Sequence, residues 1–404
     1  MQKRLLQINT VINTGSTGRI AEEIGLACKE RNWESYIAYG RNLRPSQSKL
    51  IRIGSDWEVN MHVLRTRITD RHGFGSKDAT YKLIDTIRLI NPHIIHLHNI
   101  HGYYINIELL FTYLSQTSVP VVWTLHDCWP FTGHCYHFEF IGCEKWKTNC
   151  YDCPQKKLYP ASYVCDASTH NFKDKMRLFT SLKNTMLVPV SDWLENLLNE
   201  SFLRNLPRNR IYNGINLEDF YPQGDSLELK KQYGIENKFL AIGVASNWKV
   251  RKGLEDFIRL SKLVDNDVAF ILIGVDKKEQ KKLPANIIGL QRTENISQLA
   301  KLYTTADLFL NLTYEDNFPS TNLEAMACGT PVLTYNTGGS PEAVTNETGF
   351  VVQQGDLLTV CKIIKSLKTD SKLKYTQSCR RHVENYFNKN DRFSDYIDLY
   401  ENIL

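Results

Sequence analysis

Short apolar runs alternate with amphipathic stretches along the whole chain. In the first half, apolar runs predict strands at 5–11, 36–39, 94–98, 121–125 and 186–190, with helical patterns at 17–31 and 80–90. In the second half, strands are predicted at 239–244, 268–275, 286–290, 308–312 and 331–334, and helices at 254–263, 296–303 and 321–328. Most of the strand runs are apolar at odd and even positions alike, which is typical of strands buried on both faces. Strands separated by helices of this length predict an α/β protein with two doubly wound parallel sheets.

The two halves are joined by a more polar segment at 205–235, which contains Pro207, Gly214, Pro222 and Gly224. We therefore predict a first domain at 1–205, with an insert at 128–170 that is rich in cysteine, aromatic residues and lysine. A second domain is predicted at 206–385. A helical pattern at 386–404 is expected to pack back on the first domain. Two doubly wound domains in one chain usually bind a ligand in the cleft between them.

Composition excludes several classes of protein. The chain has 404 residues, of which 42% are hydrophobic and 23% charged, so neither a disordered chain nor a fibrous repeat fits. No apolar run is long enough to predict a spanning helix. The N-terminal apolar stretch is broken by Gln7 and Asn9, which indicates a buried strand rather than a signal peptide. We therefore expect a cytoplasmic protein whose cysteines are reduced or bound to metal.

Charge is distributed unequally between the two halves. Residues 1–190 carry 23 Lys and Arg against 16 Asp and Glu, whereas residues 191–404 carry 26 against 28. This asymmetry indicates an anionic partner for the first half.

The segment from Tyr314 to Leu333 carries the strongest chemical pattern. Asp316 follows a predicted strand, Ser320 and Thr321 open a helix, and Glu324 lies one turn further. Backbone N–H groups at a helix N-terminus attract phosphate, and a carboxylate accepts hydrogen bonds from vicinal hydroxyls. This order of groups suits a sugar nucleotide. Thr321-x-x-Glu324 is also a capping box, an arrangement that needs no ligand.

This segment resembles the signature of family 4 retaining glycosyltransferases, two-domain enzymes of the GT-B fold. The family pattern is a carboxylate, seven residues, a Glu and then Ala-Met-Ala-x-Gly-x-Pro-Val, which the stretch from Glu324 to Val332 matches. The first carboxylate is normally Glu, but here it is Asp316, with Glu315 beside it. The resemblance implies that Asp316 contacts donor-sugar hydroxyls and that Glu324 binds the ribose. It also implies donor contacts from Asn317, Phe318, Pro319, Ser320 and Thr321.

Two further segments of the first half fit this resemblance. Gly15, Thr17 and Gly18 lie in a turn that corresponds to the family's glycine-rich loop, although a plain strand-to-helix turn has the same appearance. His126 ends a predicted strand and is similar to the family's histidine that contacts the donor sugar near the reacting carbon. A structural histidine is the alternative. Asp127 either orients His126 or caps the next turn.

In the second half, Lys252-Gly253 matches the family's Lys-Gly, whose cation neutralises the leaving diphosphate. The family Arg five residues earlier is replaced by Asn247. Lys249 or Arg251 could supply that charge, with Lys252 and Arg251 as the catalytic cations. The alternative is a set of exposed cations on a loop.

Four cysteines in the insert, Cys135, Cys143, Cys150 and Cys153, include one C-x2-C pair and could close a tetrahedral zinc site. A reduced, metal-free cluster is equally compatible with the irregular spacing. The neighbouring residues resemble the insert of capsule, colanic-acid and O-antigen glycosyltransferases. Any zinc here would be structural, because all four ligand positions would be filled.

Residues 61–72 combine basic and apolar side chains. This pattern suits contact with an anionic membrane surface, where lipid-linked acceptors reside, and it equally suits a solvated helix face. Nucleic-acid binding is disfavoured, because no known nucleic-acid module is visible.

The resemblance therefore implies a metal-independent hexosyl- or related transferase. It would move a sugar, with retention, from a UDP- or GDP-sugar donor to a glycan hydroxyl, on a lipid-linked precursor of a surface polysaccharide. No cofactor is expected for catalysis. The protein would work in the cytoplasm, with peripheral contact to the inner face of the plasma membrane. The alternatives are a sugar-nucleotide epimerase of the same fold and a non-catalytic scaffold subunit of a polysaccharide assembly complex.

Overall fold

The computed structural model describes residues 2–224, 226–248 and 250–404. The chain divides into two domains, Met1–Tyr212 with Asn390–Leu404, and Asn213–Lys389. The bounds predicted from the sequence, at 205 and 385, fall a few residues before these divisions.

The first domain contains six strands and six helices before the chain leaves it, counted over its described residues. The strands are β1 (Arg4–Val11), β2 (Glu34–Arg41), β3 (Lys49–Arg52), β4 (Ile94–Leu97), β5 (Val121–Leu125) and β6 (Thr185–Pro189). The helices are α1 (Gly15–Glu30), α2 (Asp56–Thr69), α3 (Lys77–Ile90), α4 (Ile107–Gln116), α5 (Ser168–Phe179) and α6 (Asp192–Glu200). Short 3-10 turns at Trp129–Phe131 and Lys145–Lys147 lie in the insert.

The second domain repeats this organisation. Its strands are β7 (Phe239–Val244), β8 (Val268–Ile273), β9 (Ile287–Leu290), β10 (Leu308–Asn311), β11 (Val332–Tyr335) and β12 (Gly349–Val352). Its helices are α7 (Ser226–Gln232), α8 (Leu254–Leu260), α9 (Lys277–Gln280), α10 (Ile296–Thr305), α11 (Ser320–Ala327), α12 (Leu357–Asp370) and α13 (Leu373–Tyr386). The 3-10 turns are Val250–Lys252 and Ser340–Ala343. Helix α14 (Lys389–Ile403) returns the chain to the first domain.

Both sheets are parallel and share one strand order. The first runs β3-β2-β1-β4-β5-β6, and the second runs β9-β8-β7-β10-β11-β12 when read from the corresponding edge. In each domain the order reverses beside the first strand, between β1 and β4 and between β7 and β10. Loops leave in opposite directions at such a point and open a crevice at the carboxyl ends of the strands, where ligands bind.

The sheet of the first domain is buried on both faces, which explains why its strands have apolar residues at odd and even positions alike. Leu6 and Ile8 pack into one core with Trp123, whereas Leu5 packs on the opposite face. Tyr396 and Tyr400 of α14 join that second core. The C-terminal helix therefore completes the hydrophobic core of the first domain.

The ten strands predicted from the apolar pattern are all present, with small differences at their ends. Two further strands, β3 and β12, were not predicted; both are only four residues long and lie at sheet edges. An edge strand is short and partly exposed, so it does not need a continuous apolar run. In β3 three of the four residues are exposed.

Candidate functional site

The predicted cation and the predicted carboxylate of the second domain meet at the reversal point of its sheet. Lys252 follows β7 and Asp316 follows β10, and the Lys252 Nζ forms an ion pair with the Asp316 carboxylate. Their side chains are 21% and 23% exposed, so the pair is sheltered but accessible. Two motifs that lie far apart in sequence are thus joined where the fold favours ligand binding.

Two glycines allow this close approach of the loops. Gly253 has a φ of +76°, and a Cβ there would lie 2.0 Å from the Leu312 carbonyl oxygen. Gly338 has a φ of +54°, and a Cβ there would lie 1.8 Å from the Asp316 carbonyl oxygen. Because any side chain would collide with the backbone of the segment that follows β10, both positions require glycine.

Helix α11 presents its N-terminus directly after Asp316. Pro319 is the N-cap residue, no described side chain caps the helix, and its first turn contains no acidic residue. The positive end of the helix dipole is therefore not neutralised by the helix itself. The capping box considered for Thr321 and Glu324 is not formed, because the helix begins at Ser320 and Thr321 lies inside the first turn.

Glu324 is buried, with 4% of its surface exposed. The Tyr303 hydroxyl donates to Glu324 Oε2 at 2.9 Å, and the Ser320 hydroxyl donates to Oε1 at 3.4 Å. Tyr303 belongs to α10, a segment in which the sequence alone assigned no individual site residue. These two hydrogen bonds hold the carboxylate beside the N-terminal turn of α11.

Arg251 is hydrogen-bonded to the loop after β10. Its guanidinium donates to the Glu315 carbonyl at 3.2 Å, and its own carbonyl accepts from the Tyr314 N–H at 2.8 Å. Glu315, the neighbouring carboxylate, is buried. Asn247 is exposed and hydrogen-bonds to Ser246, whereas Lys249, the other cation considered, lies outside the described residues.

The remaining predicted donor residues connect Asp316 to the helix. The Asn317 N–H donates to Asp316 Oδ1 at 2.9 Å. Phe318 is buried, and its ring centroid lies 5.8 Å from that of Phe387. Phe318 therefore anchors the segment in the core of the domain.

In the first domain, Gly15, Thr17 and Gly18 follow β1 but lie in the first turn of α1, rather than in a turn before the helix as predicted. Gly15 has a φ of +64°, and a Cβ there would meet no described atom within 4 Å, whereas a Cβ on Gly18 would lie 3.0 Å from the Asn13 nitrogen. Glycine is therefore favoured at position 15 by the backbone conformation and at position 18 by the close packing. Thr17 is partly exposed in the first turn of α1, which no described side chain caps.

His126 follows β5 and is partly exposed. Its Nε2 lies 3.1 Å from Nδ1 of His98, and the two rings are stacked. Burial lowers the pKa of His126 to about 4, so the ring is neutral near pH 7. Asp127 accepts from the Trp129 N–H at 3.0 Å and bonds to His101 at 2.8 Å, so it caps the next turn rather than orienting His126.

Three buried polar groups near His126 were not identified from the sequence. The Gln7 Oε1 lies 2.9 Å from His98 Nε2, and the neighbouring His96 bonds to Tyr400 and Thr124. The available signal was a polar residue inside an apolar strand run. Buried polar groups of this kind are almost always hydrogen-bonded.

The four cysteines of the insert line one narrow cavity of about 10 Å³, together with His134. Their thiols are free, but Cys135 and Cys153 hydrogen-bond to each other, and the Gly133 N–H donates to Cys150 Sγ at 3.2 Å. The bond from Cys135 lowers the pKa of the Cys153 thiol to about 7.

Within the described ranges, no group of three or more His, Cys, Asp or Glu side chains is arranged to hold a metal ion. The four predicted ligands thus line one cavity, but in the described residues they are not arranged as a metal site. Zinc binding stays a prediction, which metal analysis of the purified protein tests.

In the part of the chain that the structure describes, no helix is long and apolar enough to cross a lipid bilayer.

Comparisons with known proteins identify a matching family and several similar chains. Residues 225–385 match the family described as glycosyl transferases group 1. WcaC of Escherichia coli strain K12, named as a colanic acid biosynthesis glycosyl transferase, is 20% identical over 419 aligned positions, covering 99% of this chain and 100% of that protein. CapM of Staphylococcus aureus, a capsular polysaccharide biosynthesis glycosyltransferase, is 27% identical over 48% of this chain and 53% of its own length.

Among solved structures, Anabaena HepE in complex with UDP-glucose superposes with a TM-score of 0.67 and 14% identity, covering 98% of this chain and 99% of that one. At this identity the likeness shows the fold. The chain thus has the GT-B fold, its residues 225–385 are similar to the group 1 glycosyl transferases, and the whole resembles the glycosyltransferases named for colanic acid and capsule biosynthesis.

Proposed function

We propose that this protein transfers a sugar from a nucleotide-diphosphate donor, a UDP- or GDP-sugar, to a glycan hydroxyl on a lipid-linked precursor of a surface polysaccharide. The observation that carries the proposal is the Lys252–Asp316 ion pair beside the uncapped N-terminus of α11, with Glu324 held within the first turns of that helix. A cation, a helix N-terminus and two carboxylates match the diphosphate and the hydroxyls of a sugar nucleotide. The names of WcaC and CapM support the polysaccharide setting.

Each group has a role in this proposal. Lys252 and the N-terminal turn of α11 stabilise the negative charge that develops on the departing diphosphate. Asp316 accepts hydrogen bonds from the donor sugar, and Glu324 accepts them from the ribose. Arg251, which is bonded to the Glu315 carbonyl, holds the loop that positions Asp316. In the first domain, His126 contacts the sugar.

The reaction balances without a redox partner or a protein base. The bond between the anomeric carbon and the diphosphate oxygen breaks, and its electron pair stays on the diphosphate. The acceptor oxygen bonds to the anomeric carbon, with retention as the family resemblance implies. The acceptor proton passes to the leaving phosphate oxygen. A divalent metal is not part of this proposal, because Lys252 and the helix dipole supply the positive charge.

The decisive experiment is thermal stabilisation by UDP, GDP and their sugars, with and without magnesium. Ligands that bind the native state raise its melting temperature with concentration. We expect a shift with one base that grows with one sugar and does not depend on magnesium. Binding that requires magnesium would overturn the metal-independent step. Donor turnover without any acceptor would favour an epimerase, and no shift with any nucleotide would favour a scaffold subunit.

We also propose that the first domain contacts anionic membrane through α2. Trp57, Met61, Leu64 and Ile68 follow helical spacing and are between 43% and 70% exposed. Arg65 and Arg67 are exposed on the same helix. An apolar stripe flanked by arginines is typical of helices that lie in the headgroup region of anionic membranes.

Vesicle sedimentation tests this contact. We expect the protein to sediment with vesicles that contain phosphatidylglycerol and not with pure phosphatidylcholine vesicles. The variant with Trp57→Ser and Leu64→Ser should lose most of this binding. A matched pair of changes at exposed apolar positions elsewhere, Leu358→Ser and Leu373→Ser, should not. Equal sedimentation of all variants would show that α2 is a solvated helix face.

A further inference from the structure

A chain of three hydrogen-bonded side chains crosses the first sheet and ends at His126. Gln7 lies in β1, His98 directly follows β4 and His126 directly follows β5. Gln7 and His98 are 0% and 1% exposed, whereas His126 is partly exposed. This series of hydrogen-bonded side chains therefore begins in the core and ends at the surface, at the carboxyl ends of the strands.

The orientation of Gln7 is fixed by its second contact. Its Nε2 donates to the Ala21 carbonyl at 2.7 Å. The opposite orientation would place two oxygens against each other, so Oε1 faces His98. Because this oxygen only accepts, His98 Nε2 must carry the proton of their 2.9 Å hydrogen bond.

The proton positions on the two histidines follow from this. Burial holds the pKa of His98 well below its ordinary value, so His98 is neutral and carries one proton, on Nε2. Its Nδ1 then has a lone pair and accepts. In the 3.1 Å bond between the rings, His126 Nε2 must therefore be the donor. His126 is also neutral near pH 7, so its Nδ1 carries a lone pair.

We propose that Gln7 and His98 are positioning residues that fix His126 with its proton on Nε2, so that Nδ1 accepts a hydrogen bond from a sugar hydroxyl. This inference rests on the proposed function, in which His126 contacts the donor sugar. Among the described residues, no hydrogen-bond partner is found for Nδ1 of His126. His126 thus recognises a hydroxyl as an acceptor and cannot donate to the sugar from that nitrogen.

The neighbouring histidine shows why this arrangement is distinctive. The His96 ring lies 4.0 Å from that of His98, but its nitrogens bond to the Tyr400 and Thr124 hydroxyls at 2.6 and 2.8 Å. Both of its ring nitrogens are satisfied inside the core. Tyr400 therefore offers a matched control: Tyr400→Phe removes a buried hydrogen bond from the same cluster without touching the chain to His126.

The first test reads the proton position directly and needs no activity. The full-length protein is labelled with nitrogen-15 at histidine, and the His126 signals are assigned by their loss in His126→Gln. We expect a proton on Nε2 and a lone pair on Nδ1 in the wild type and in Tyr400→Phe. Gln7→Leu and His98→Leu should lose this single tautomer. A wild-type ring with its proton on Nδ1, or an unchanged tautomer in both variants, would overturn the proposal.

The second test separates positioning from folding. His98→Asn keeps an oxygen near the place of Nδ1, whereas His98→Leu does not. For His98→Leu we expect affinity for the nucleotide sugar to fall about three- to tenfold, the loss typical of one hydrogen bond, while affinity for the nucleotide diphosphate stays unchanged. His98→Asn should recover most of the loss. Equal losses for both ligands, or no recovery, would show a structural role only.

These two tests fail separately from the proposed function. If no nucleotide sugar binds the wild type, the proposed function fails, although the tautomer can still be measured. If the sugar binds and the tautomer is wrong, only the positioning role fails.

Discussion

The two domains share one strand order but hold their candidate site residues in different ways. The second domain uses charges: Lys252 and Asp316 form an ion pair on loops that Gly253 and Gly338 bring together. The first domain uses neutral rings, and it contains ten of the eleven histidines of the chain. Lys252 and Asp316 each lie in a short sequence motif, although 64 positions separate them. In the first domain, the hydrogen-bonded residues are 28 and 91 positions apart, and no motif marks Gln7 or His98.

The largest expected effect concerns the charges of the second domain. Lys252→Ala should lower kcat for sugar transfer by about 10²- to 10³-fold, because the developing charge of the diphosphate loses its main cation. Steady-state transfer assays measure this. The control is Lys262→Ala, which removes an exposed lysine of the same domain. If Lys252→Ala retains full activity, the charge-based site of the second domain is wrong.

The glycines sharpen the same comparison. Gly253→Ala or Gly338→Ala should destabilise the second domain by about 3 kcal/mol or more, because positive φ and a clash with a carbonyl oxygen act together. Gly15→Ala in the first domain has positive φ but open space, so about 1 kcal/mol is expected.

Chemical denaturation with a probe in each domain measures this difference; Trp248 reports on the second domain, since the other six tryptophans lie in the first. Similar costs at Gly15 and Gly253 would show that backbone conformation, rather than close approach, explains these glycines.

Much of this contrast was accessible from the sequence, and the limit has a physical cause. Buried parallel strands need apolar residues on both faces, so the pattern located ten of the twelve strands found in the described residues. Lys252, Asp316 and Glu324 lie within short motifs, which place Lys252 and Asp316 after strands and Glu324 one turn into a helix. Tyr303 and His98 act through contacts between elements, and only the fold brings those elements together. Gln7 was visible as a polar break in β1, but its partner was not.

The next largest expected effect is a difference between the two domains in the loss of stability at acid pH. Burial lowers the pKa of His62 and His126 to about 4, and that of His72, His96 and His98 well below the ordinary value. These rings are neutral in the folded chain but titrate near 6.5 when unfolded, so the unfolded chain binds more protons between pH 6.5 and 4. The contribution of these neutral rings to the free energy of unfolding is therefore fully present above pH 6.5. It is lost as the pH falls from 6.5 towards 4.

For a ring as buried as His62 this loss is on the order of 3 kcal/mol. His134 opposes it: burial lowers its pKa, but the hydrogen bond and charge of Asp70 outweigh burial and raise it. Hydrogen exchange at about pH 7.5 and about pH 5, corrected for the intrinsic rate, reports on each domain. We expect protection to fall mainly in the first domain. An equal loss of protection in both domains would mean that carboxylates, which occur in each domain, control stability at acid pH.

The smallest expected effect tests whether the second domain also depends on a neutral partner. Tyr303→Phe removes the hydroxyl that donates to buried Glu324. Leaving that carboxylate short of one donor should cost about 1–3 kcal/mol in stability and raise the donor KM about three- to tenfold, with kcat nearly unchanged. The reason is that Glu324 is proposed to bind the ribose, which does not react. The control is Tyr221→Phe, which changes an exposed tyrosine of the same domain. A fall in kcat with an unchanged KM would instead place Tyr303 and Glu324 among the groups that act on the transition state, and the ribose assignment would then be wrong.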